Sequence, residues 1–538
     1  MDIELVFFIE MCYNVVITFY YYIEVLKMHI IYHKVKEVEY ARLAKSYRKD
    51  GKVKKSSTNL GRVIDKEKGI YKNRTRGIFR FDLSSMQYSD LKDNPYNEQG
   101  ENDSLNCNSK DNQIDKERLI LDFGDTYFID KFMEKSGIKK VINSLKYKNS
   151  DTFYSMLCYY ILNDKSNIHA ASWYEGNYAK IIYPNAKISS QRISEFLSEI
   201  GNEKFYRDFF RSYFKYFMEH SADGTNILID STGLPNSIHF PLTAISNHNG
   251  EISNEVRLIY VVQKETSLPI FFRYCPGNVL DINTLVRTIK ELKENGINTK
   301  FTILDAGYYD DENIIELYKN NVSFITRLKQ NRKIYKELIK ENIGDIESSE
   351  NLVRYNNRFV YMKCVECELI TGYKSYAYIG VDILRKNSET KKLFESSKNQ
   401  KLSNSEIFEK MKSQGVFILV SSEKIEKEKI LPSYYTRQQI EQIFDIGKNY
   451  ADMLPLRVEN ENTFRGHLIL TFMATVLIKL IQDKLKESVY NPMSLFLNLR
   501  NHKCKVYDNR IITQEVFKKA NDCYKIFQII PPIEIELK

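Results

Sequence analysis

The 538-residue sequence lacks the motifs of several common enzyme classes. It has no GxxxxGK[ST] loop to cradle ATP phosphates and no GxSxG elbow for a nucleophilic serine. Its eight histidines show no HExxH or other ligand-like spacing. The only CxxC, Cys364 to Cys367, has neither a second pair nor a nearby histidine. These absences count against a P-loop NTPase, an elbow-type serine hydrolase and a zinc site.

Long apolar runs are also absent. The longest N-terminal run, residues 11–23, is shorter than the roughly 20 residues of a membrane span, and no basic segment precedes it. Residues 468–478 are apolar all round but also short, which predicts a buried core helix. The eight cysteines are scattered, mostly in apolar runs, as is typical of a reducing compartment. We therefore expect a cytoplasmic protein that contacts no membrane.

Proline is scarce, and 43% hydrophobic against 28% charged residues is the composition of a folded protein. The net charge of +9 is unevenly distributed, because residues 34–80 hold 16 lysines and arginines against 5 acidic residues. The rest of the chain is slightly acidic. This concentration predicts an arm that contacts an anionic partner. The alternative is an ordinary solvated strand face.

Hydrophobic periodicity and turn signals divide the chain into seven segments. They are an N-terminal extension with a basic β-hairpin arm turning at Asp50-Gly51 (1–82), a flexible linker (83–117), a helical domain (118–222), the first part of an α/β core (223–328), a β-rich insertion (329–415), the second part of the core (416–490) and a C-terminal helical tail (491–538).

Two aspartates end buried strands of the predicted core, whose first part has the order β-β-β-α-β-α-β. Asp230 follows NILI, and Asp305 follows KFTIL. Strand ends form the crevice in which ligands bind in α/β sheets. Aspartate also ends strands simply because it initiates turns, so neither residue identifies a site alone.

Residues 434–448, YYTRQQIEQIFDIGK, have the period of a single amphipathic helix. One stripe is apolar and comprises Ile440, Ile443, Phe444 and Gly447. The adjacent stripe is polar and comprises Tyr434, Arg437, Glu441 and Lys448. Arg437 and Glu441 have the spacing of an ordinary i,i+4 surface pair. Together with Asp230 and Asp305, however, Glu441 completes a set of three carboxylates suited to two Mg²⁺ ions and phosphodiester chemistry.

These residues resemble a known family. The spacing Tyr434-x2-Arg437-x3-Glu441-x6-Lys448 is similar to the Y-R-E-K signature of insertion-sequence DDE transposases that carry a β-rich insertion. LIDSTG around Asp230 and ILDAGYYDDENI around Asp305 resemble the two aspartate motifs of that family. The 136 residues between Asp305 and Glu441 leave room for the insertion.

The resemblance implies an RNase H-like mixed sheet flanked by helices, with the helical domain as a DNA-binding or helper domain. It implies that Asp230, Asp305 and Glu441 are catalytic and bind two Mg²⁺ or Mn²⁺ ions. Tyr434, Arg437 and Lys448 would bind terminal DNA phosphates. The expected reaction cuts the element ends and joins their 3′-hydroxyls to target DNA. The expected partners are double-stranded DNA, as terminal inverted repeats and target, and a second copy of the chain in a nucleoid-associated homodimer.

Two alternatives use the same residues. A transposase-derived DNA-binding protein without catalysis would be expected to lose one of the three carboxylates, and all three are present. A two-metal nuclease without strand transfer would have little need for Tyr434, Arg437 and Lys448. Asp445 lies one helical turn from Glu441 and competes with it for the third position, although the signature spacing favours Glu441.

Overall fold

The computed structural model describes most of the chain between residues 28 and 537. Outside the described residues lie 1–27, 36–37, 50–51, 74–75, 91–118, 164, 221–225, 237–239, 247–251, 280, 401–402, 452, 455, 457 and 538. The chain divides into two compact units, residues 1–112 and 113–538.

The described part of the first unit is a six-stranded antiparallel sheet whose strands follow one another in chain order. The strands are β1 (Met28–Val35), β2 (Val38–Lys49), β3 (Lys52–Asp65), β4 (Ile70–Asn73), β5 (Gly77–Asp82) and β6 (Gln87–Asp90). One face buries a small cluster formed by Ala41, Leu43, Leu60, Tyr71, Phe79 and Phe81. Alternation along the strands directs the intervening residues to the opposite face.

This sheet is larger than the predicted hairpin arm. Strands β2 and β3 do pair, with Lys49 opposite Lys52, while the predicted Asp50-Gly51 turn lies outside the described residues. Strand β6 falls within the predicted linker because its polar sequence carries almost no apolar signal. Its Tyr88 ring nevertheless packs on Phe81 with ring centroids 4.8 Å apart. The rest of the predicted linker lies outside the described residues.

The second unit contains most of the helices. They are α1 (Gly124–Lys135), α2 (Ile138–Ser144), α3 (Ser150–Leu162), α4 (Ala170–Glu175), α5 (Ala179–Ile182), α6 (Ser190–Ile200), α7 (Glu203–His220), α8 (Leu285–Glu294), α9 (Asp311–Lys319), α10 (Lys333–Asn342), α11 (Ile383–Gln400), α12 (Asn404–Lys412), α13 (Lys427–Tyr435), α14 (Gln438–Tyr450), α15 (Glu461–Leu485), α16 (Pro492–Arg500) and α17 (Lys518–Ile526).

A ten-stranded sheet runs through this unit. Its strands are β8 (Asn226–Pro235), β9 (Ala244–Ser246), β10 (Ser253–Gln263), β11 (Pro269–Pro276), β12 (Phe301–Leu304), β13 (Ser323–Arg327), β14 (Leu352–Tyr355), β15 (Arg358–Ile370), β16 (Tyr373–Asp382) and β17 (Val416–Ser421). Their order is β11-β10-β8-β12-β13-β17-β16-β15-β14, with β9 on β10. The chain is therefore a mixed α/β protein.

Strands β8, β12 and β13 form the parallel centre of this sheet. They are parallel because helical crossovers containing α8 and α9 return the chain to the same end of the sheet. The β10–β11 hairpin lies antiparallel on one side and β17 lies antiparallel on the other. The predicted strand order of this region agrees with the structure, apart from the additional short strand β9.

The insertion predicted over residues 329–415 differs from a separate β-rich module. Its strands β14, β15 and β16 continue the central sheet, because β16 pairs antiparallel with β17 along six residue pairs. Helices α10, α11 and α12 account for much of its remaining length. The alternating apolar pattern identified the strands but carried no information about which strand edge they join.

The predicted helical domain and helical tail also share strands. Strand β7 (Leu119–Asp122) pairs with β18 (Lys503–Val506), and β19 (Arg510–Thr513) and β20 (Glu534–Glu536) complete a four-stranded sheet. The predicted tail is thus a mixture of helix and strand that returns to the start of the helical domain. Each of these strands has only three or four residues, which is too few for period-two alternation to identify.

Helix α15 is the central core helix of the second unit. Within the described residues it is the one helix long and apolar enough to cross a membrane, and 94% of that apolar window is buried inside the protein. Helix α6 crosses it closely at Gly466. A Cβ atom added at Gly466 would lie 2.0 Å from the Leu197 carbonyl oxygen, which belongs to the backbone and has little freedom to move.

We expect Gly466→Ala to destabilise the protein by about 1–3 kcal/mol because the helices must separate. In an open helix interior the same change would stabilise the protein by about 1 kcal/mol. The sign of the change in unfolding free energy therefore shows whether the two helices are in close contact at Gly466. The free energy of unfolding in denaturant measures the effect. Gly176→Ala is the matched control, since the nearest atom to its Cβ is 3.8 Å away. Equal stability of the two variants would contradict the close crossing.

Candidate active site

Asp230 and Asp305 lie side by side because of the register between parallel strands. In the β8–β12 pair, Leu304 lies opposite Ile229. Asp230 directly follows Ile229 and Asp305 directly follows Leu304. Both carboxylates therefore emerge at the same end of the sheet. Asp230 is buried within β8, and Asp305 begins a single 3₁₀ turn at Ala306–Tyr308 without capping it through its side chain. The two strand ends therefore lie side by side at one edge of the sheet.

The predicted single helix over residues 434–448 is interrupted. Helix α13 ends at Tyr435 and α14 begins at Gln438, with Thr436 and Arg437 between them. In this turn the Arg437 N–H donates to the Tyr434 carbonyl, and the Ile440 N–H donates to the Arg437 carbonyl. These i→i−3 bonds tighten the chain as in a 3₁₀ turn. Tyr434 therefore belongs to a different helix from Glu441 and Lys448.

Helix α14 docks on the sheet beside Asp230 through its predicted apolar stripe, which is buried. The Phe444 ring stacks on Tyr260 with centroids 5.4 Å apart, and Tyr260 lies directly opposite Asp230 in the β8–β10 pair. At the start of the helix, the Ser267 hydroxyl bonds the Gln439 side-chain oxygen at 2.7 Å. These contacts orient the first turn, which carries Glu441, toward the two strand ends.

The guanidinium of Arg437 contacts all three predicted carboxylates. Its Nη1 lies 2.9 Å from Asp230 Oδ2 and 3.7 Å from Asp305 Oδ1. Its Nη2 lies 3.6 Å from Glu441 Oε1. The structure thus brings together three residues separated by up to 211 positions, and a fourth residue joins them. Asp445 instead accepts a hydrogen bond from Asn449.

Charge balance explains why Arg437 occupies this position. Burial alone would lower the pKa of Arg437, but the carboxylates of Asp230 and Asp305 outweigh burial and raise it. One positive charge faces three negative charges, so the cluster retains a deficit of positive charge. The Asp305 and Glu441 side chains are 42% and 58% exposed, whereas that of Asp230 is 12% exposed. The cluster is therefore open to solvent on one side.

Oxygen donors of this kind suit a hard divalent cation. Within the described residues, however, no group of three or more His, Cys, Asp or Glu side chains is arranged to hold a metal ion. The group that lies among the three carboxylates is the Arg437 guanidinium, at 2.9–3.7 Å from one oxygen of each. The donor chemistry fits a divalent cation, and the present arrangement fits Arg437.

Lys448 and Tyr434 both lie near the cluster. Lys448 Nζ donates to Thr232 Oγ1 at 2.6 Å, which ties α14 to β8 two residues beyond Asp230. Burial lowers the pKa of Lys448, and the negative charges of Glu255 and Asp445 oppose that shift only in part. Tyr434 is buried, and burial raises its pKa to about 12.

Thr232 was not identified from the sequence. The available signal was its spacing from Asp230, because residues two apart on a strand face the same side of the sheet. The apposition of Arg437 and the carboxylates was also not anticipated, since the sequence indicated only the i,i+4 pair with Glu441.

We expect Arg437 to couple more strongly to Asp230 than to Glu441. Double-mutant cycles with Arg437→Gln, Asp230→Asn and Glu441→Gln in metal-free buffer separate the two pairs. The largely buried Arg437–Asp230 pair should give about 1–3 kcal/mol of coupling in unfolding free energy. The exposed Arg437–Glu441 pair should give less than about 1 kcal/mol. The reverse order would mean that the guanidinium is not seated on Asp230.

Comparison with known proteins identifies the domain around this cluster. The protein-family model of the transposase DDE domain matches residues 222–477. This range contains all three carboxylates. Among solved structures, a piggyBac transposase synaptic complex with hairpin DNA is similar at a TM-score of 0.38 and 11% identity, over 65% of this chain and 70% of that chain. That likeness is distant and supports no inference here. No curated protein matches the sequence. Residues 222–477 are therefore a transposase DDE domain, and this match supports the function of a DNA transposase.

Proposed function

We propose that the protein cuts the ends of an insertion sequence and joins the released 3′-hydroxyls to target DNA, with Asp230, Asp305 and Glu441 as the catalytic residues. The observation that carries this proposal is the convergence of these three carboxylates on one guanidinium. A site that holds three carboxylates around one cationic group is built to hold positive charge. Phosphodiester chemistry at such a site needs that charge beside the reacting oxygens.

DDE transposase domains use divalent metal ions, and we infer two Mg²⁺ or Mn²⁺ ions per site here. Asp230, Asp305 and Glu441 would hold them, since all three offer hard oxygen ligands. Such ions activate the attacking oxygen and stabilise the leaving oxygen of a phosphodiester. Arg437 must leave the carboxylates for this arrangement to form. The partial exposure of Asp305 and Glu441 supports this, because the guanidinium can turn toward solvent without crossing the core.

Arg437, Lys448 and Tyr434 then act on DNA. Arg437, once released, lies beside the carboxylates and can bind a terminal phosphate through its two-pronged guanidinium. Lys448 presents a single positive charge from the far end of α14, and its bond to Thr232 restricts where that charge lies. Tyr434 would orient the same phosphate region through its hydroxyl. This set favours strand transfer over simple hydrolysis, since it holds DNA ends in addition to the reacting phosphate.

We further propose that the fold around this site is RNase H-like. The β11-β10-β8 antiparallel strands continued by parallel β12 and β13 support this assignment, as do the carboxylates at the ends of β8 and β12. The proposed partners are double-stranded DNA, both element ends and target, and a second copy of the chain. A homodimer would place two active sites on two element ends. The proposed location is the nucleoid within the cytoplasm.

The N-terminal sheet is proposed as a DNA-contacting arm because basic residues cross its outer face. Arg62 on β3 lies directly opposite Lys72 on β4, and Arg80 on β5 lies opposite Ile70, two residues from Lys72. All three side chains are exposed. Like charges in directly opposed positions destabilise a sheet. An anionic partner on this face offsets that repulsion.

Asp305→Ala should abolish Mg²⁺-dependent cleavage of an element end and the thermal stabilisation produced by Mn²⁺, because one carboxylate ligand is lost. Binding to the same DNA should persist. The substrate comes from the DNA flanking the reading frame, where short inverted repeats bounded by direct duplications are expected. Gel assays of cleavage and of joining to a target plasmid distinguish transposition from simple nuclease activity.

Asp311→Ala is the matched control for Asp305→Ala. Asp311 lies six residues away and pairs with Arg332 at 3.2 Å rather than with the cluster. This variant should retain cleavage, joining and the Mn²⁺ effect. Cleavage retained by Asp305→Ala would refute the proposed catalytic residues. Cleavage by the unsubstituted protein without joining would indicate a nuclease.

Replacing Arg62, Lys72 and Arg80 together by Gln should make the negative slope of log binding constant against log salt shallower by up to about 3. Each phosphate contact contributes about 0.9 to the magnitude of that slope. The assay is fluorescence anisotropy with a dye-labelled duplex over a salt series. Lys66→Gln is the control, because Lys66 pairs with Glu39 at 3.3 Å and lies over the Tyr32 ring. An unchanged slope in the triple variant would exclude this face as a DNA contact.

A further inference from the structure

An arginine-lined pocket lies next to the candidate active site. It has a volume of about 490 Å³ and is formed where the insertion strands meet the strand pair β13–β17 and the end of α13. Its basic lining consists of Arg327 at the end of β13, Arg358 at the start of β15 and Arg385 in α11. Tyr434 and Tyr435 form another wall.

The pocket carries excess positive charge. Arg358 Nη1 lies 3.3 Å from Asp382 Oδ2, and Arg385 Nε donates to Glu389 Oε1 at 2.6 Å. These two pairs are the ordinary structural use of surface arginines. Arg327 differs, since no acidic group within the described residues lies within ion-pair distance of it. Asp382 is the one acidic residue that lines the pocket. With Glu389, which pairs with Arg385 from outside the lining, two carboxylates therefore face three guanidinium groups.

The aromatic wall is held in place by neighbouring rings. Tyr435 stacks on Tyr355 with centroids 5.2 Å apart and ring planes at 11°. The Arg358 guanidinium lies 5.9 Å from the Tyr435 ring centroid, within cation–π range. Tyr355 and Arg358 come from the insertion and Tyr435 from α13, so the insertion fixes the shape of this wall.

The pocket borders the candidate active site at Tyr434. This residue lines the pocket, and its carbonyl accepts the N–H of Arg437 at 3.1 Å. A DNA strand with a phosphate at Arg437 would therefore run close to the pocket. Arg358 and Arg385 are 40% and 38% exposed, so their charged ends are accessible to such a strand.

We propose that this pocket is a second phosphate-binding site, in which Arg327, Arg358 and Arg385 hold a DNA backbone phosphate beyond the one at the catalytic carboxylates. Guanidinium groups match the geometry of a phosphate and remain charged at any physiological pH. The insertion, which contributes Arg358 and Arg385, would then bind the backbone of the DNA strand that enters the active site. The inference rests on the proposed function only for the identity of the ligand as DNA.

Salt-dependent binding tests this site in the full-length protein. The probe is a dye-labelled 20-base-pair duplex of arbitrary sequence, with Asp305→Ala as the background so that no cleavage occurs. Arg327→Gln should bind about tenfold more weakly at low salt, because a charge-assisted contact is lost, and its salt slope should fall by about 0.9. Arg327→Lys should retain the slope, because its charge still displaces a counterion.

Arg192→Gln is the control, since Arg192 pairs with Glu195 on α6, away from the pocket. It should leave affinity and slope unchanged. Arg358→Gln provides an independent test from the exposed side of the pocket and should also lower the slope by about 0.9. Thermal melting verifies that each variant is folded. If Arg327→Gln fails to fold, Arg358→Gln and Arg385→Gln carry the test.

Wild-type slopes in the folded pocket variants would overturn this site and leave the catalytic proposal intact. If the unsubstituted protein shows no cleavage activity while the pocket variants have a reduced salt dependence of DNA binding, the catalytic proposal is contradicted and the pocket is supported. The two proposals therefore fail through different measurements.

Discussion

The arrangement of the candidate active site depends on one guanidinium. Arg437 lies among Asp230, Asp305 and Glu441 and supplies the positive charge that allows three carboxylates to approach one another. Without it, their mutual repulsion would oppose the docking of α14 on the sheet. The Arg437 guanidinium therefore holds the three carboxylates close to one another without a metal ion.

The sheet and α14 provide the rigid support for this cluster. Parallel pairing of β8 with β12 sets Asp230 beside Asp305, and the Phe444–Tyr260 stack sets the distance of α14 from the same strand. The bond between Lys448 and Thr232 fastens the far end of the helix. Each support acts within two residues of a carboxylate or directly opposite one. Small errors in docking would therefore move the carboxylates relative to one another.

The insertion extends the same scaffold. Since β16 pairs with β17, the strands of the insertion are a continuation of the central sheet. A displacement of these strands would therefore shift β17 and its neighbour β13, because the strands are hydrogen-bonded to one another. This continuity places the arginine-lined pocket in a fixed relation to the active site, because the insertion, β13 and α13 all contribute to its walls.

Local sequence determined the individual parts of this protein. Buried runs such as NILID and KFTIL have strand periodicity, the spacing of residues 434–448 separates apolar from polar faces, and the motif residues include all three carboxylates of the cluster. These signals are local, because they reflect alternation and helical period within a few turns of chain. Short strands such as β7 and β20, with three or four residues each, lack enough length to show a period.

Tertiary structure decided how those parts meet. Arg437 bonds Asp230 across 207 positions, β7 pairs with β18 across most of the second unit, and the insertion joins the edge of β17. None of these contacts is encoded in local periodicity, because each depends on which strand edge or charge remains unpaired after the other elements have packed. The sequence therefore determined which side chains are candidates for the active site, and only the tertiary fold decided that an arginine lies among their carboxylates.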